Sequence, residues 1–310
     1  MEKRHWKKVF DLTEGMSSMG GSLEQTCTFD QLIKDGGLEA FTEEIEDISG
    51  MAQGELAIKT QKDLVAEMWN EMLFSITPYR DSKDRFLLGD IEDLMTQLED
   101  DQMQISTMMG SKFVAEIRDD VEEWEIKLGY IQSIIDEWLT FQRQWMYLEN
   151  IFNAEDIQKQ LPGESVLFKA VDKFWKEYMT KVKKDPHAVS IVDSGGQLKK
   201  FIENNKKLED IQKALEDYLG TKRAAFPRFF FLSNDELLEI LSQTRNVQAV
   251  QPHLSKCFDN MKKVEFSQAK DSKEVLGMWS AELEYVTFTN PVMAIGAVEH
   301  WLTKIEYGMT

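Results

Sequence analysis

The chain has 310 residues, with 36 Lys+Arg against 55 Asp+Glu and a formal net charge of −19. That balance argues against a nucleic-acid or anionic-membrane surface, because phosphate binding needs a basic footprint. A hydrophobic fraction of 42% is too high for wholesale disorder, and Trp 8, Phe 18 and Met 16 supply a core. The length suits about two domains, or one elongated array.

No apolar run approaches the roughly 18 residues of a membrane span. Met1-Glu2-Lys3-Arg4-His5-Trp6 lacks the apolar stretch of a signal peptide. Cys27 and Cys257, far apart and without partner spacing, read as reduced, buried thiols of a cytosolic protein. The acid excess is uneven: residues 1–110 hold 10 Lys+Arg and 23 Asp+Glu, a net −13. A solvated acidic helix face accounts for that excess, and so does a basic partner docking there.

In chain order, Leu38, Phe41, Ile45, Ile48 and Ala52, then Ile58, Val65, Met68 and Met72, step at helical spacing. They predict a long helix from about Leu38 to Phe74, with Gly50 and Gly54 weakening its continuity. Phe74–Tyr79 and Arg85–Leu88 flank Asp81-Ser82-Lys83-Asp84 as a hairpin, and Ile91, Leu94, Met95 and Leu98 give a short helix. Ile117, Val121, Trp124, Leu128, Ile131, Ile135, Trp138, Gln142 and Trp145 then form a heptad seam, the strongest periodic signal in the chain. Ile134, Leu139 and Phe141 widen it beyond a two-chain coiled-coil stripe, which favours an intramolecular, spectrin-repeat-like bundle.

Leu161-Pro162-Gly163 breaks the run, and Phe168, Val171, Trp175 and Met179 mark the next helix, Ser165–Lys181. Asp185-Pro186 and Ser194-Gly195-Gly196 read as linkers, and the stretch from Asp185 to Gly196 is the more compliant of the two mid-chain breaks. Leu198 to Leu219 form another helix, expected to end near Gly220. Phe226 to Leu232 reads as a short buried strand after a proline, whose phenylalanines could otherwise anchor a partner. Ser233 and Glu236 fit a capping box that opens a helix over Asp235–Gln243. A helix is predicted over Pro252–Met261, strands at Val264–Phe266 and Tyr285–Phe288, and a last amphipathic helix through Ile295, Val298, Trp301, Leu302 and Ile305. The fold class is mainly α: an array of helical bundles with one or two small β-hairpins or sheets near the C-terminal part.

No motif assigns chemistry. Gly220-Thr221-Lys222 lacks the upstream glycine of a phosphate loop, and Gly195-Gly196 reads as a turn. His5, His187, His253 and His300 are scattered without metal-ligand spacing, and Cys257 reads as a small core residue. Glu43-Glu44, Asp100-Asp101, Asp119-Asp120 and Glu122-Glu123 are adjacent pairs, which diverge on a helix and read as solvated faces. Trp124, Trp138 and Trp145 read as core before they read as a ligand cage. No catalytic residue, cofactor site or metal site is assigned.

The string Phe226-Pro227-Arg228-Phe229-Phe230-Phe231-Leu232-Ser233-Asn234-Asp235-Glu236-Leu237-Leu238-Glu239-Ile240-Leu241-Ser242-Gln243-Thr244, continuing through Val250-Gln251-Pro252-His253-Leu254, resembles the linker region of dynein heavy chains. Its Asn-Asp-Glu form and Gln-Pro-His-Leu continuation look like the axonemal branch. Phe141-Gln142-Arg143-Gln144-Trp145, Tyr147-Leu148-Glu149, Asp156-Ile157, Leu208 to Lys213, Tyr218-Leu219, Lys222-Arg223 and Val298 to Leu302 support it. The likeness is looser before Leu38 and departs at Ala281-Glu282-Leu283-Glu284, where the family usually has Glu-Gly-Glu.

The resemblance implies a loosely matching segment at 1–37, the N-terminal helical part of a linker at 38–160, and its C-terminal part at 161–310, ending before the first AAA+ module. It implies a non-enzymatic lever that bends over the AAA+ ring of the same heavy chain. The parent motor would bind microtubules and ATP, in the cytoplasm and the cytoskeleton of a ciliary or flagellar axoneme. A non-catalytic helical scaffold or adaptor is the other reading.

Overall fold

The structure is a computed structural model. It describes residues 1–12, 33, 38–80, 82, 84–193, 196–242, 246–268 and 272–309. Cys27, Asp81, Lys83, Gly195 and Gln243 therefore lie outside the described residues. Eleven α-helices are present among the described residues. They are α1 (Lys3–Leu12), α2 (Thr42–Glu71), α3 (Glu92–Met109), α4 (Arg118–Phe152), α5 (Glu155–Gln160), α6 (Pro162–Lys184), α7 (Ser190–Asp193), α8 (Gln197–Ala225), α9 (Asn234–Ser242), α10 (Leu254–Cys257) and α11 (Val298–Gly308). Strands β1 (Ile76–Pro78) and β2 (Phe86–Leu88) pair as the expected hairpin. β3 (Met261–Phe266), β4 (Glu274–Ser280) and β5 (Tyr285–Met293) form an antiparallel sheet in the order β3-β4-β5. The protein is mainly α, as the periodicity predicts.

Two compact units divide the chain: residues 1–78, 87–135 and 182–197 in the first, and 79–86, 136–181 and 198–310 in the second. The first holds 12 Lys+Arg and 29 Asp+Glu, a net −17; the second holds 24 and 26, a net −2. The acid excess noted in the sequence therefore belongs to one folding unit.

In the first unit the predicted helix is continuous through Gly50 and Gly54 as α2, entered by a 3-10 turn at Leu38–Phe41. Gly54 has a packing role: a Cβ there would lie 2.4 Å from the Phe113 ring, so glycine lets that ring lie on the helix backbone. Ala52, Ile58, Val65 and Trp69 form the buried stripe of α2, with Trp69 in the place the sequence pattern gave to Met68. Facing core residues are Leu94, Leu98 and Ile105 of α3 and Val121, Trp124, Leu128 and Ile131 of α4. Asp101, expected in a solvated pair, is 1% exposed and accepts a hydrogen bond from Trp69 Nε1 at 2.8 Å. The indole N–H satisfies a carboxylate that burial would otherwise penalise. α1 docks through His5, Val9 and Phe10, with Arg4 donating to the buried Glu55 at 2.6 Å.

The stretch after Asp185 is tied down within the same unit. Phe74 N–H donates to Pro186 O and Ala188 N–H to Met72 O, each at 2.8 Å, and Ala188 and Ile191 are buried. Gly196, at φ +71°, then opens α8 in a conformation that glycine adopts at low steric cost.

In the second unit the seam of α4 continues through Trp138, Phe141, Trp145, Leu148 and Phe152, all buried. It meets Phe168, Val171, Trp175 and Met179 of α6, which starts at Pro162, the residue type best suited to a first helical position. Phe141 stacks on Trp175 at 5.0 Å, and Phe201 of α8 packs edge-on to Phe141 at 5.8 Å. α8 does not stop near Gly220; it runs to Ala225 because Leu219 is fully buried and Lys222 and Arg223 beyond it are anchored. The helix predicted over Pro252–Met261 is replaced by a 3-10 turn, Val247–His253, and the short α10. Phe258 is already extended and Asn260, at φ +60°, turns the chain into β3. β4 was not read from the sequence, and Ile295 lies outside α11 and is 60% exposed. Gly277 of β4 is a close-approach position, since a Cβ there would fall 2.4 Å from Val286 O on β5.

Candidate functional site

The most distinctive string in the sequence, Phe226–Leu232, is not a strand. Pro227–Phe231 is a 3-10 turn, with Pro227 setting its first position and bonds from Phe229 N–H to Phe226 O and Leu232 N–H to Phe229 O at 3.0 and 3.1 Å. Three residues per turn put Phe226, Phe229 and Leu232 on one side, and all three are buried. Phe230 and Phe231 fall on the other side and are 70% and 69% exposed. The expectation of a buried strand came from the β propensity of an aromatic run. It fails because side-chain clamps satisfy these carbonyls locally, so no sheet partner is needed.

Those clamps are arginines. Arg223 of α8 donates to Phe229 O at 3.4 Å and Leu232 O at 3.1 Å. Arg228 donates to Glu306 of α11 at 2.8 Å and to Cys257 O at 3.2 Å, with its guanidinium 4.9 Å from the Phe258 ring centre. One planar fork thus holds the turn to two other elements.

Directly after it, the predicted capping box closes. Ser233 N–H donates to Glu236 Oε2 at 3.0 Å, and Glu236 N–H donates to Ser233 Oγ at 3.2 Å. Lys256 also binds the Glu236 carboxylate. That hydrogen bond, followed by the one from the Ser233 backbone, holds the Glu236 pKa down at about 2. Buried His253 lies 3.3 Å from Glu239 on the same helix.

A cleft of about 310 Å³ opens where α5, α8 and α11 converge, lined by Asp156, Lys159, Tyr218, Lys222 and Glu299 among others. Glu299, 4% exposed, binds Lys222 Nζ at 2.6 Å. Burial, with the Glu299 and Asp156 charges behind it, pushes the Tyr218 phenol up to about 12. Elsewhere in this unit Glu149, 2% exposed, binds Arg85 and accepts from Asn153 at 2.7 Å. Tyr79 packs on Trp145 at 5.2 Å, and its phenol is raised by burial and then by the Glu149 charge.

The residues weighed for chemistry are dispersed. Gly220-Thr221-Lys222 is helical within α8, and Lys222 is spent on Glu299. His5 is buried against Glu55, His187 pairs with Asp185 at 2.7 Å, and His300 is exposed on α11. Cys257 is buried, and that burial pushes its thiol to about 11. Among the described residues no group of three or more His, Cys, Asp or Glu side chains is placed to hold a metal ion. No helix of the described residues is long and apolar enough to cross a membrane. Glu43, Glu44, Asp119, Asp120, Glu122 and Glu123 are exposed. Trp124, Trp138 and Trp145 are core. The residues sequence reasoning missed are Asp101, Glu149 and Glu299, because an acid in a helix gives no local sign that it will be buried and paired with a residue distant in the chain.

Comparison with known proteins agrees with the string at Phe226–Leu254. Residues 1–310 match the family described as dynein heavy chain, N-terminal region 2. The chain is 45% identical to human "Dynein axonemal heavy chain 6" over 285 residues, covering 87% of this chain and 7% of that protein. It is 44% identical to mouse "Dynein axonemal heavy chain 2" over 312 residues, 100% of this chain and 7% of that one. Mouse "Dynein axonemal heavy chain 12" is 37% identical over 311 residues, 99% of this chain and 10% of its own length. The chain thus spans a tenth or less of these relatives.

Proposed function

The chain belongs to the dynein heavy chain family, matching its N-terminal region 2 throughout, and from that premise we propose that it is the mechanical linker of an axonemal dynein motor. In this reading residues 38–160 and 161–310 are the N- and C-terminal parts of a lever that bends over the AAA+ ring of the same heavy chain. Residues 1–37 are its more loosely matching N-terminal segment. ATP-driven changes in the ring become movement along microtubules, in the cytoskeleton of a ciliary or flagellar axoneme. The chemistry belongs to the ring, so the lever has no need of a nucleotide site.

The observation that carries the reading is the family match over all 310 residues, to relatives whose names are axonemal. The build supports it: α2, α4 and α8 have 30, 35 and 29 residues. At 1.5 Å per residue each is a rod of about 43–53 Å, with the stiffness that transmitting force demands.

The test compares two anchor points on a complete motor. A biotin acceptor is placed either at the N-terminus or in the exposed turn Ala281–Glu284, and surface-bound motors are scored for microtubule gliding and ATP turnover. A lever moves microtubules fast from the first anchor and slowly or not at all from the second, with equal turnover. Equal gliding from both anchors sinks the reading.

A further inference from the structure

The cleft where α5, α8 and α11 converge holds a carboxylate that the fold buries and only half satisfies. Glu299 is 4% exposed, and its Oε1 takes the Lys222 ammonium at 2.6 Å. Its Oε2 is buried without a hydrogen bond from any described residue, and Glu299 lines the cleft. A buried carboxylate oxygen left unsatisfied is costly, so a ligand that donates to it gains more than the same contact would give at the surface.

The charges around that oxygen decide which donor fits. Asp156 of α5 lines the same cleft. The N-terminus of α11 favours negative charge, and Glu299 in its first turn already supplies it. Lys222 is committed, since besides Glu299 it stands 5.3 Å from the Tyr218 ring centre. Lys159 is held loosely, 3.8 Å from both Glu155 and Asp156, with its side chain 61% exposed. Tyr218, its phenol raised to about 12 by burial and then by the Glu299 and Asp156 charges, is neutral. The inner cleft thus sets Asp156 and Glu299 against Lys222, one net negative charge that repels an anion and that a monocation neutralises. Leu241 and Val298, both buried, add an apolar wall, and a volume of about 310 Å³ lies at the lower end for small-ligand pockets. We propose that this cleft binds a small organic monocation, an alkyl guanidinium or alkylammonium. Its N–H groups donate to Glu299 Oε2 and Asp156, and its stem lies along Leu241 and Val298. The site needs only the fold of the second unit and stands apart from the lever reading.

The experiment titrates the 310-residue chain with n-butylguanidinium by calorimetry, beside neutral n-butylurea and anionic pentanoate, which keep a similar shape. Saturable, submillimolar binding of the guanidinium is expected, about tenfold or more tighter than butylurea, with none of pentanoate. Glu299→Gln should weaken it by about tenfold or more. Lys159→Ala removes a competing ammonium from an exposed position and should tighten it by about two- to fivefold. Ala297→Leu fills the cleft from a residue outside the helix, in an extended conformation open to any side chain, and should abolish binding. Where Glu299→Gln lowers the melting temperature by stranding Lys222, the Lys159 and Ala297 variants carry the test. Equal affinity for butylurea, weaker binding by Lys159→Ala, binding untouched by Ala297→Leu, or no saturation would each overturn the proposal. Tighter binding of N-acetylarginine N-methylamide than of butylguanidinium would assign the site to an arginine side chain of a protein and overturn the free ligand.

Discussion

The side-chain amide of Gln251 pairs with both backbone polar groups of Val264. It donates to the Val264 carbonyl at 2.8 Å and accepts the Val264 N–H at 3.1 Å. An amide so placed imitates one residue of a neighbouring strand and closes part of the outer edge of β3, where exposed N–H and C=O groups invite pairing with other chains. Gln251→Ala is expected to destabilise the fragment by about 1–3 kcal/mol, the cost of leaving buried backbone groups unpaired. It should also promote self-association, seen as a concentration-dependent sedimentation coefficient. Unchanged denaturant melts would show that water replaces the amide at no cost.

Leu283 adopts φ +69° in the turn between β4 and β5 and is 62% exposed, so its side chain gains little from packing. The left-handed conformation costs a non-glycine residue about 1–2 kcal/mol. Leu283→Gly removes that strain but raises the entropy of the unfolded chain, so a net gain of about 1 kcal/mol is expected. A loss of stability in urea melts would contradict the strain argument.

Trp138 is fully buried, edge-on to Tyr178 at 5.1 Å and stacked on Phe201 at 6.2 Å. Trp138→Ala should destabilise by about 3–5 kcal/mol, through lost transfer energy and the cavity left behind. A change below about 1 kcal/mol would mean that the seam carries little of the core energy.

Glu236 titrates at about 2, below the ordinary carboxylate value, chiefly because Lys256 binds its charged form. A lowered folded-state pKa contributes stability that is present above the ordinary value and lost as pH falls through about 2. Wild-type protein should therefore lose stability more steeply than Glu236→Gln between pH 4.5 and 2, measured by urea melts at stepped pH. Parallel pH profiles would show that the capping carboxylate is not held in its charged form.

Residues 1–310 alone are expected neither to bind nor to hydrolyse ATP. The nearest string to a phosphate loop, Gly220-Thr221-Lys222, is wound into α8 with its lysine paired to Glu299. Backbone N–H groups inside a helix are already bonded and cannot cradle phosphates. Micromolar binding by calorimetry, or turnover above a buffer control, would refute this.

The long helices α2, α4, α6 and α8 were legible because their signal is local. The heptad seam from Val121 to Trp145 and the Ser233–Glu236 capping box are patterns within one or a few turns, and each stands where the sequence places it, whereas α6 starts at Pro162, inside the expected break and three residues before the expected Ser165. The family resemblance was legible for a related reason: its longest string, Phe226–Thr244, is contiguous. What lay outside that reach was decided by partners distant in the chain. Asp101 is buried because Trp69, 32 residues earlier, offers it a donor, and the edge of β3 is covered because Gln251 turns back across 13 residues. Phe226–Leu232 shows both limits at once. Its composition favours a strand, yet Arg223 satisfies its Phe229 and Leu232 carbonyls, Arg228 ties it to Glu306 and Cys257 O, and its period is three in place of two. Propensity describes a backbone without neighbours, and only the packed structure supplies the neighbours that bury Phe229 and leave Phe230 and Phe231 in water.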